Sequence, residues 1–288
     1  MSLRVVCVAA SFACLLSACA GRVPSEGGTF VSAFAAHPAM KPSTVTDADT
    51  PVPLTPAAWG RVANPSSLAG RTIDVSSLED IALRDKEVVL TFDDGPMPKK
   101  TERILATLDE FGVKATFLMV GEMAQAYPQI AREVVSHGHT IGSHTYHHPN
   151  LRNLSFDEAM VEINKGRKAV STATREDVGF FRFPYLSDTR RLRRSVASEG
   201  MVVLDVQVDS KDYFSESPAA VATRTMHALS AHRRGIILLH DIHVRTAAML
   251  PALLTQMRAE GYKVVTLRRK APSLLMASVQ TATAGESH

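Results

Sequence analysis

Residues 87–96 read Glu-Val-Val-Leu-Thr-Phe-Asp-Asp-Gly-Pro. An uninterrupted apolar run that ends in turn-forming residues predicts a short buried strand, here over 87–92. The amphipathic pattern over 101–111 predicts that a helix follows. No glycine-rich phosphate loop joins the two elements, which argues against a nucleotide-binding sheet. The stretch therefore predicts a strand–helix unit of an α/β protein, with two carboxylates at the end of the strand.

The same alternation continues towards the C-terminus. Further strands are predicted at 115–120, 139–143, 179–181, 202–206, 235–239 and 263–266, and further helices near 128–137, 155–172, 188–199, 217–231 and 246–260. About seven strand–helix units in roughly 185 residues imply a parallel sheet that is closed or nearly closed into a barrel. An open doubly wound sheet is the alternative architecture.

The composition excludes several classes of protein. The chain has 288 residues, of which 45% are hydrophobic and 21% charged, and its formal net charge is +3. This charge is too small to indicate a nucleic-acid-binding surface, and the composition does not fit a collagen, a disordered chain or a polytopic membrane protein. The three cysteines, Cys7, Cys14 and Cys19, all precede residue 20. The folded part is therefore expected to have no disulfide and no cysteine chemistry.

The N-terminus has the pattern of a secretory signal. Arg4 precedes an apolar segment over 5–16, which leads into Leu16-Ser17-Ala18-Cys19. A positive flank, a short apolar stretch and a small-residue cleavage site predict a signal peptide over 1–18. The last four residues also resemble the bacterial lipobox, which implies that Cys19 is lipidated. An ordinary signal peptide cleaved near Ala20 is the alternative.

A proline-rich segment follows this signal. Seven of the fifteen prolines lie between residues 20 and 70, among Ala, Ser and Thr, a composition typical of an extended tether. The sequence thus predicts a lipidated N-terminus and linker over 19–70, a catalytic domain over 71–270 and a C-terminal tail over 271–288.

Side chains with catalytic or metal-binding chemistry follow the predicted strands. They are Asp93, Asp94, His144, His148, Arg182, Asp209, Asp212, His240 and Asp241. All lie at carboxyl ends of strands, the face on which barrel enzymes build their active sites. We therefore expect one shared pocket.

Two of these histidines have the spacing of a metal site. His144 and His148 are four residues apart, so on a helical turn both imidazoles point the same way. With one carboxylate they would form a three-ligand set with an open position, as in catalytic zinc sites. The spacing leaves His147 as an alternative, and His137 and His139 lie upstream.

The acidic pair and the last histidine each have a structural alternative. Asp93 and Asp94 could form an ordinary strand-ending turn, since Asp-Gly is common turn chemistry. Two adjacent carboxylates can also divide metal ligation and proton transfer between them. His240 could be a buried histidine capped by a backbone group, but opposite a metal it is better placed as a general acid.

Four segments together carry a resemblance to a known family. They read Thr-Phe-Asp-Asp-Gly-Pro over 91–96, His-Thr-Tyr-His-His-Pro-Asn-Leu over 144–151, Arg-Phe-Pro-Tyr over 182–185 and Leu-Leu-His over 238–240. In this order they resemble four of the five motifs of the polysaccharide deacetylases, the NodB homology domain of carbohydrate esterase family 4. The resemblance covers about residues 85–268. It implies a deformed (β/α) barrel of about seven parallel strands that removes acetyl groups from glycans with a divalent metal.

The resemblance also implies the metal ligands. Asp94, His144 and His148 match the family's ligand positions, which selects His148 over His147. The family's metal is commonly Zn²⁺, and Co²⁺, Ni²⁺ or Mn²⁺ are alternatives.

The catalytic roles are implied in the same way. Asp93 would be the general base and Arg182 would hold it ionised through a charge-assisted pair. The main-chain N–H of Tyr185 would face the oxyanion, and His240 would be the acid. The substrate pocket would include Tyr213, Pro184 and Ile237.

The fourth motif departs from the family pattern. This chain reads Asp209-Ser210-Lys211-Asp212-Tyr213, with tyrosine where the family usually has tryptophan. We expect Asp212 to pair with His240, with Asp209 as the alternative. The change puts sugar specificity in doubt and leaves the metal and base assignments untouched.

The sequence thus predicts a hydrolase of carbon–nitrogen bonds other than peptide bonds. Its substrate would be an N-acetylglucosamine-containing polysaccharide, such as peptidoglycan, a chitin-like polymer or poly-N-acetylglucosamine. The alternatives are an inactive glycan-binding protein of the same fold, an O-acetyl xylan esterase and a small-molecule amidase. We expect a monomer that binds acetylated glycan and no nucleic acid. The N-terminal lipid would anchor it in a bacterial envelope membrane, facing the periplasm or the exterior.

Overall fold

A computed structural model describes residues 67–270. The predicted signal peptide over 1–18, Cys19, the linker as far as residue 66 and the tail over 271–288 lie outside the described residues. Within residues 67–270, no helix has the length and apolar character needed to cross a membrane.

Strands and helices alternate along most of this range. The strands are β1 (Ala69–Val75), β2 (Glu87–Asp93), β3 (Thr116–Met119), β4 (Thr140–Ser143), β5 (Phe180–Phe181), β6 (Val202–Val203), β7 (Val208–Asp209), β8 (Gly235–His240) and β9 (Lys263–Arg269). The helices are α1 (Thr101–Glu110), α2 (Gly121–Ala126), α3 (Pro128–Ser136), α4 (Phe156–Thr174), α5 (Arg190–Ser198), α6 (Pro218–His232) and α7 (Val244–Ala259). Short 3-10 turns span Leu78–Asp80, Leu151–Asn153 and Pro184–Leu186.

β2 is the central strand because it pairs with three others. It runs parallel to β3, β8 and β9. One path through the sheet has the strand order β1-β9-β2-β3-β4-β5-β6. A second path leaves β2 through β8 and ends at β7. Seven parallel strands therefore follow one another in the order β7-β8-β2-β3-β4-β5-β6. They form an open ring, because between residues 67 and 270 no ladder joins β6 to β7. The predicted α/β fold, a deformed barrel of about seven parallel strands, is confirmed.

The sequence does not predict two of the strands. β1 begins at Ala69, inside the segment assigned to the linker, because Leu68, Ile73 and Val75 are buried against the sheet. The folded domain therefore begins before residue 71. β7 consists of only two residues, too few for a periodicity to be visible.

Both faces of β2 are covered, which explains its uninterrupted apolar run. Val88, Leu90 and Phe92 belong to one buried cluster with residues of α1, α6 and α7. Val89 points to the opposite face, where it packs with residues of β1, β8 and β9. Because side chains alternate along a strand, Asp93 lies on the same face as Val89. The strand therefore delivers this carboxylate to the barrel side of the sheet.

Candidate active site

The carboxyl ends of the barrel strands surround a cavity of about 530 Å³. Its lining consists of Asp93, Asp94, His144, His148, Phe183, Tyr185, Leu186, Asp209, Tyr213, Leu238 and His240. Parallel strands place their carboxyl ends at one edge of the sheet, so residues distant in sequence meet there. The shared pocket expected from the sequence is present.

Three side chains in this cavity could hold a metal ion. Asp94 Oδ1 lies 3.6 Å from His144 Nε2 and 3.4 Å from His148 Nε2. All three donor atoms fall within 4.8 Å of one another. Asp94 Oδ1 is buried and has no hydrogen-bond partner in the described part of the chain. A buried carboxylate oxygen without a partner is costly, and a divalent cation at this point would satisfy it. The donor set therefore fits the metal that the sequence predicts.

His144 is prepared to act as a ligand through Nε2. Its Nδ1 lies 2.8 Å from the main-chain oxygen of Arg182, which can only accept, so Nδ1 carries the proton. Burial lowers the pKa of His144 to about 3, which keeps the ring neutral. The lone pair on Nε2 is thus free for a metal, and the carbonyl fixes the orientation of the ring.

The loop after His144 directs His147 and His148 to different places, and only His148 lines the cavity. His147 turns outward, where its Nδ1 lies 2.8 Å from Glu162 Oε1 on α4, and half of its side chain is exposed. Helix α4 comes so close to the loop that a Cβ on Gly166 would lie 2.3 Å from the carbonyl carbon of Thr145. Only a glycine allows this approach, which fixes the path of the loop from His144 to His148.

The other two histidines lie elsewhere. His137 Nδ1 is 2.5 Å from Asp109 Oδ2 at the surface, and His139 is buried and accepts a hydrogen bond from the Ala115 N–H. Burial lowers the pKa of His139 to about 4, so it remains neutral. Neither residue lines the cavity.

Asp93 and Arg182 form a buried ion pair. Arg182 Nη1 donates to Asp93 Oδ1 at 2.7 Å and to Thr91 Oγ1 at 2.7 Å, and its Nε donates to the Leu204 carbonyl at 3.2 Å. The two charged side chains are only 1% and 2% exposed. Burial raises the pKa of Asp93, and the adjacent guanidinium opposes that rise. Asp93 Oδ2 is not used by Arg182 and lies 3.7 Å from His144 Nε2. This oxygen is placed to accept a proton beside the ligand set.

His240 pairs with Asp212. Its Nδ1 lies 2.6 Å from Asp212 Oδ1, and its main-chain N–H donates to Oδ2 at 2.8 Å. Thr246 also donates to Oδ2, at 2.6 Å. Burial alone lowers the pKa of His240, but the hydrogen bond and charge of Asp212, together with the charges of Asp93 and Asp94, outweigh burial and raise the pKa to about 9. The ring is therefore protonated at neutral pH and can donate from Nε2. Asp209, the alternative partner, bonds to Tyr213 instead.

The predicted pocket residues divide into lining and supporting residues. Tyr185 has a left-handed backbone, with φ 58°, and its ring packs against His148 at 4.7 Å between centroids. Tyr213 also lines the cavity, whereas Pro184 is buried and does not line it. Ile237 does not line the cavity: it is fully buried in the helix-facing core. Leu238 takes its place, since residues two apart on β8 share a face and His240 is in the cavity.

Sequence reasoning missed three apolar lining residues, Phe183, Leu186 and Leu238. The alternation along β8 could have identified Leu238, whereas Phe183 and Leu186 lie in an irregular turn without a periodic signal.

Asp241 lies outside the lining and accepts a hydrogen bond from Thr101 at 2.6 Å. Burial raises its pKa to about 7. Its carboxylate packs so tightly on Gly95 that a Cβ there would be 2.1 Å from Oδ2.

Comparison with known proteins gives a consistent set of relatives. Residues 80–204 match the family model described as polysaccharide deacetylase. A peptidoglycan-N-acetylglucosamine deacetylase of Listeria monocytogenes is 35% identical over 65% of this chain, and the chain spans only 39% of that protein. A chitin deacetylase of Colletotrichum lindemuthianum is 32% identical over 73% of this chain and 90% of the relative.

A solved structure supports the same relationship. The Bdellovibrio bacteriovorus peptidoglycan deacetylase superimposes with a TM-score of 0.63 and 32% identity, covering 72% of this chain and 58% of that one.

Proposed function

The chain belongs to the polysaccharide deacetylase family, and we propose that it is a metal-dependent hydrolase that removes N-acetyl groups from an N-acetylglucosamine-containing glycan. The observation that carries the proposal is the meeting of three units in one cavity. They are the donor set of Asp94, His144 and His148, the Asp93–Arg182 pair and the His240–Asp212 pair. Together they supply the parts that amide hydrolysis needs: an electrophilic centre, a base and an acid.

Asp94, His144 and His148 would hold the ion, which we propose to be Zn²⁺. Two imidazoles and one carboxylate with an open position are typical of catalytic zinc sites, and Co²⁺, Ni²⁺ or Mn²⁺ could bind the same donors. When bound, such an ion supplies Lewis-acid chemistry, lowering the pKa of a coordinated water and polarising the acetyl carbonyl.

Asp93 would act as the general base. Its Oδ1 is occupied by Arg182, so Oδ2 is the atom that takes a proton from the attacking water. Arg182 holds the carboxylate in one orientation and favours its ionised form. The main-chain N–H of Tyr185 would donate to the oxyanion as the carbonyl carbon becomes tetrahedral.

His240 would act as the general acid. Because Asp212 holds Nδ1, the proton available for transfer is on Nε2, which would go to the sugar nitrogen as its bond to the acetyl carbon breaks. The water oxygen leaves in acetate, and the sugar retains a free amine. Apolar side chains of Phe183, Leu186 and Leu238 offer surface for the acetyl methyl group.

The substrate class is supported by the cavity and by the names of the relatives. Two aromatic side chains, Tyr185 and Tyr213, are 65% and 43% exposed beside the cavity, where sugar rings can pack on them. The relatives act on peptidoglycan N-acetylglucosamine and on chitin, as their names state. We therefore propose polymers of N-acetylglucosamine ahead of acetylated xylan.

Acetate release tests this proposal. The purified protein, loaded with zinc, would be incubated with N-acetylglucosamine oligomers, peptidoglycan and acetyl-xylan. We expect acetate from the first two at rates well above that from xylan. Faster release from acetyl-xylan would point to an O-acetyl esterase, and no release from any glycan would leave the glycan-binding alternative.

The acid role predicts a specific pH dependence. Activity should fall as pH rises through about 9, because His240 loses its proton there. In Asp212→Asn the charge that raises this pKa is gone while the burial that lowers it remains. The charges of Asp93 and Asp94 remain and continue to raise the pKa. The alkaline limb of kcat/KM should therefore move to a pH below 9, and Thr246→Val should move it less. The pH–rate profile of each variant on a chitooligosaccharide measures the shift. An unchanged limb in Asp212→Asn would remove His240 from the acid role.

We further propose that Cys19 anchors the protein to a bacterial envelope membrane, facing the periplasm or the exterior. The support is the Leu16-Ser17-Ala18-Cys19 segment. Wild-type protein should partition into the detergent phase on phase separation, and Cys19→Ala should move to the aqueous phase. Equal partitioning of the two proteins would contradict the anchor.

A further inference from the structure

One carboxylate in the cavity has no role in the proposed chemistry. Asp209 lies on the cavity wall at the end of β7, where its Oδ2 accepts from the Tyr213 hydroxyl at 2.9 Å. Its Oδ1 accepts from the Lys211 N–H, also at 2.9 Å. Each oxygen therefore has one further lone pair available. We call the segment from Asp209 to Phe214 the acidic wall.

The acidic wall is held in place by two arginines on the neighbouring helices. Arg224 of α6 donates to the carbonyls of Ser210 and Lys211, each at 3.0 Å. Arg245 of α7 donates to the carbonyls of Asp212 and Phe214, at 3.0 and 2.6 Å. Four carbonyls fixed by two guanidinium groups leave the loop little freedom. A fixed wall can discriminate between ligands that a mobile loop would accommodate.

Asp209 differs from the other acidic groups of the site in its partners. Asp93 is paired with Arg182, Asp212 with His240, and Asp94 belongs to the metal donor set. Asp209 has no ion pair among residues 67–270, and the two donors it uses are neutral. After the proposed chemistry is accounted for, it is the uncompensated negative group of the cavity lining.

Tyr213 links Asp209 to the proposed acid. Its ring meets the His240 ring edge-on, with centroids 5.6 Å apart. Burial and the hydrogen bond to Asp209 raise the pKa of Tyr213 to about 12, so the hydroxyl keeps its proton and donates. The carboxylate therefore lines the same cavity as the proposed acid, with one aromatic ring in contact with both.

We propose that Asp209, held by Tyr213, is a specificity-determining residue that selects N-acetylglucosamine and rejects N-acetylmuramic acid at the reacting position. The two sugars differ on the carbon next to the acetamido group, which carries a neutral hydroxyl in the first and a lactyl carboxylate in the second. A carboxylate can accept a hydrogen bond from the hydroxyl, whereas a second carboxylate is repelled in a partly buried site. This inference rests on the proposed deacetylase function.

The test uses peptidoglycan, which contains both sugars. Glycan strands would be treated with wild type, Asp209→Asn, Tyr213→Phe or the control Asp177→Asn, whose carboxylate is exposed and outside the cavity. New amines would be labelled with deuterated acetic anhydride, and fragment ions would assign the label to glucosamine or muramic acid. Chitooligosaccharide turnover and bound metal would be measured on the same samples.

The wild type and Asp177→Asn should place label on glucosamine. In Asp209→Asn the ratio of muramic acid to glucosamine label should rise by about tenfold, as expected on removing one charged hydrogen-bond partner. Tyr213→Phe should give a smaller rise in this ratio, because the Asp209 carboxylate remains but loses the hydrogen bond from the Tyr213 hydroxyl.

Three results would overturn the inference. They are equal label on both sugars in the wild type, an unchanged ratio in Asp209→Asn, and, if that variant cannot be purified, an unchanged ratio in Tyr213→Phe. Failure of the proposed function is a different result, namely no label on either sugar and no acetate from chitooligosaccharides.

Discussion

Asp93→Asn should lower kcat for deacetylation by about 10³-fold, because a positioned general base contributes roughly 10²–10⁴-fold. The amide has nearly the same size as the carboxylate and can still accept from Arg182 Nη1 through its oxygen. It has no basic oxygen at the position of Oδ2, so the proton of the attacking water has no acceptor. Asp94, His144 and His148 are untouched, so bound metal should remain at the wild-type level. Acetate release and metal analysis on one sample measure the two effects separately.

Asp74→Asn is the matched control. Asp74 lies on β1 in an exposed ion pair with Arg268, away from the cavity. Exposed pairs contribute little to stability, so this variant should keep wild-type turnover. If Asp93→Asn retained more than about a tenth of wild-type kcat, the loss of rate would be smaller than the loss of a general base causes, and Asp93 would not be the base.

Arg182→Leu should have the largest effect on stability. Removing one partner of a buried pair leaves an uncompensated charge and costs about 3–5 kcal/mol of the free energy of unfolding. The remaining carboxylate, Asp93, has a pKa that burial already raises, and loss of the guanidinium should raise it further. The acid limb of the pH–rate profile should therefore move to higher pH, and turnover at neutral pH should fall along with stability. Denaturant unfolding and the acid limb of the pH–rate profile measure the two effects.

A double-variant cycle distinguishes this mechanism from simple loss of packing. Asp93→Asn combined with Arg182→Leu removes both charges, so the double variant should be more stable than Arg182→Leu alone. Arg182→Lys keeps a positive charge but lacks the planar guanidinium group, so its free energy of unfolding should lie between those of wild type and Arg182→Leu. A double variant less stable than Arg182→Leu would show that the loss of stability comes mainly from the lost contacts and not from the unpaired charge.

The fold was predictable wherever the pattern was long and regular. β2 shows this well: its seven residues are buried on both faces, and such a strand reads as a continuous apolar run. β1 was not predictable, because only part of it is buried and it follows a stretch that reads as linker. The two-residue strand β7 forms because it pairs with β8, and its own short sequence does not encode that pairing.

The site was predictable at motif positions and not between them. Spacing alone left His147 and His148 equivalent, and the structure separates them through Glu162 on α4, a contact across 15 residues. Spacing also left Asp209 and Asp212 open. The contact of Asp212 with His240 depends on where β8 ends beside the loop after β7. Ile237 lies between Leu238 and the buried strand residues before it, and because side chains alternate along β8 it points into the helix-facing core and not into the cavity.

Metal titration coupled to acetate release tests the central claim most directly, that the Asp94–His144–His148 set and Asp93 work as one hydrolytic centre. The protein would be stripped with a chelator, titrated with Zn²⁺ and assayed on a chitooligosaccharide, with Asp93→Asn and His148→Ala in parallel. We expect no acetate without metal and a rate that rises to a plateau at one equivalent. Asp93→Asn should bind the metal without turnover, and His148→Ala should bind it weakly. Full acetate release from the stripped protein, or full release from Asp93→Asn, would contradict the account.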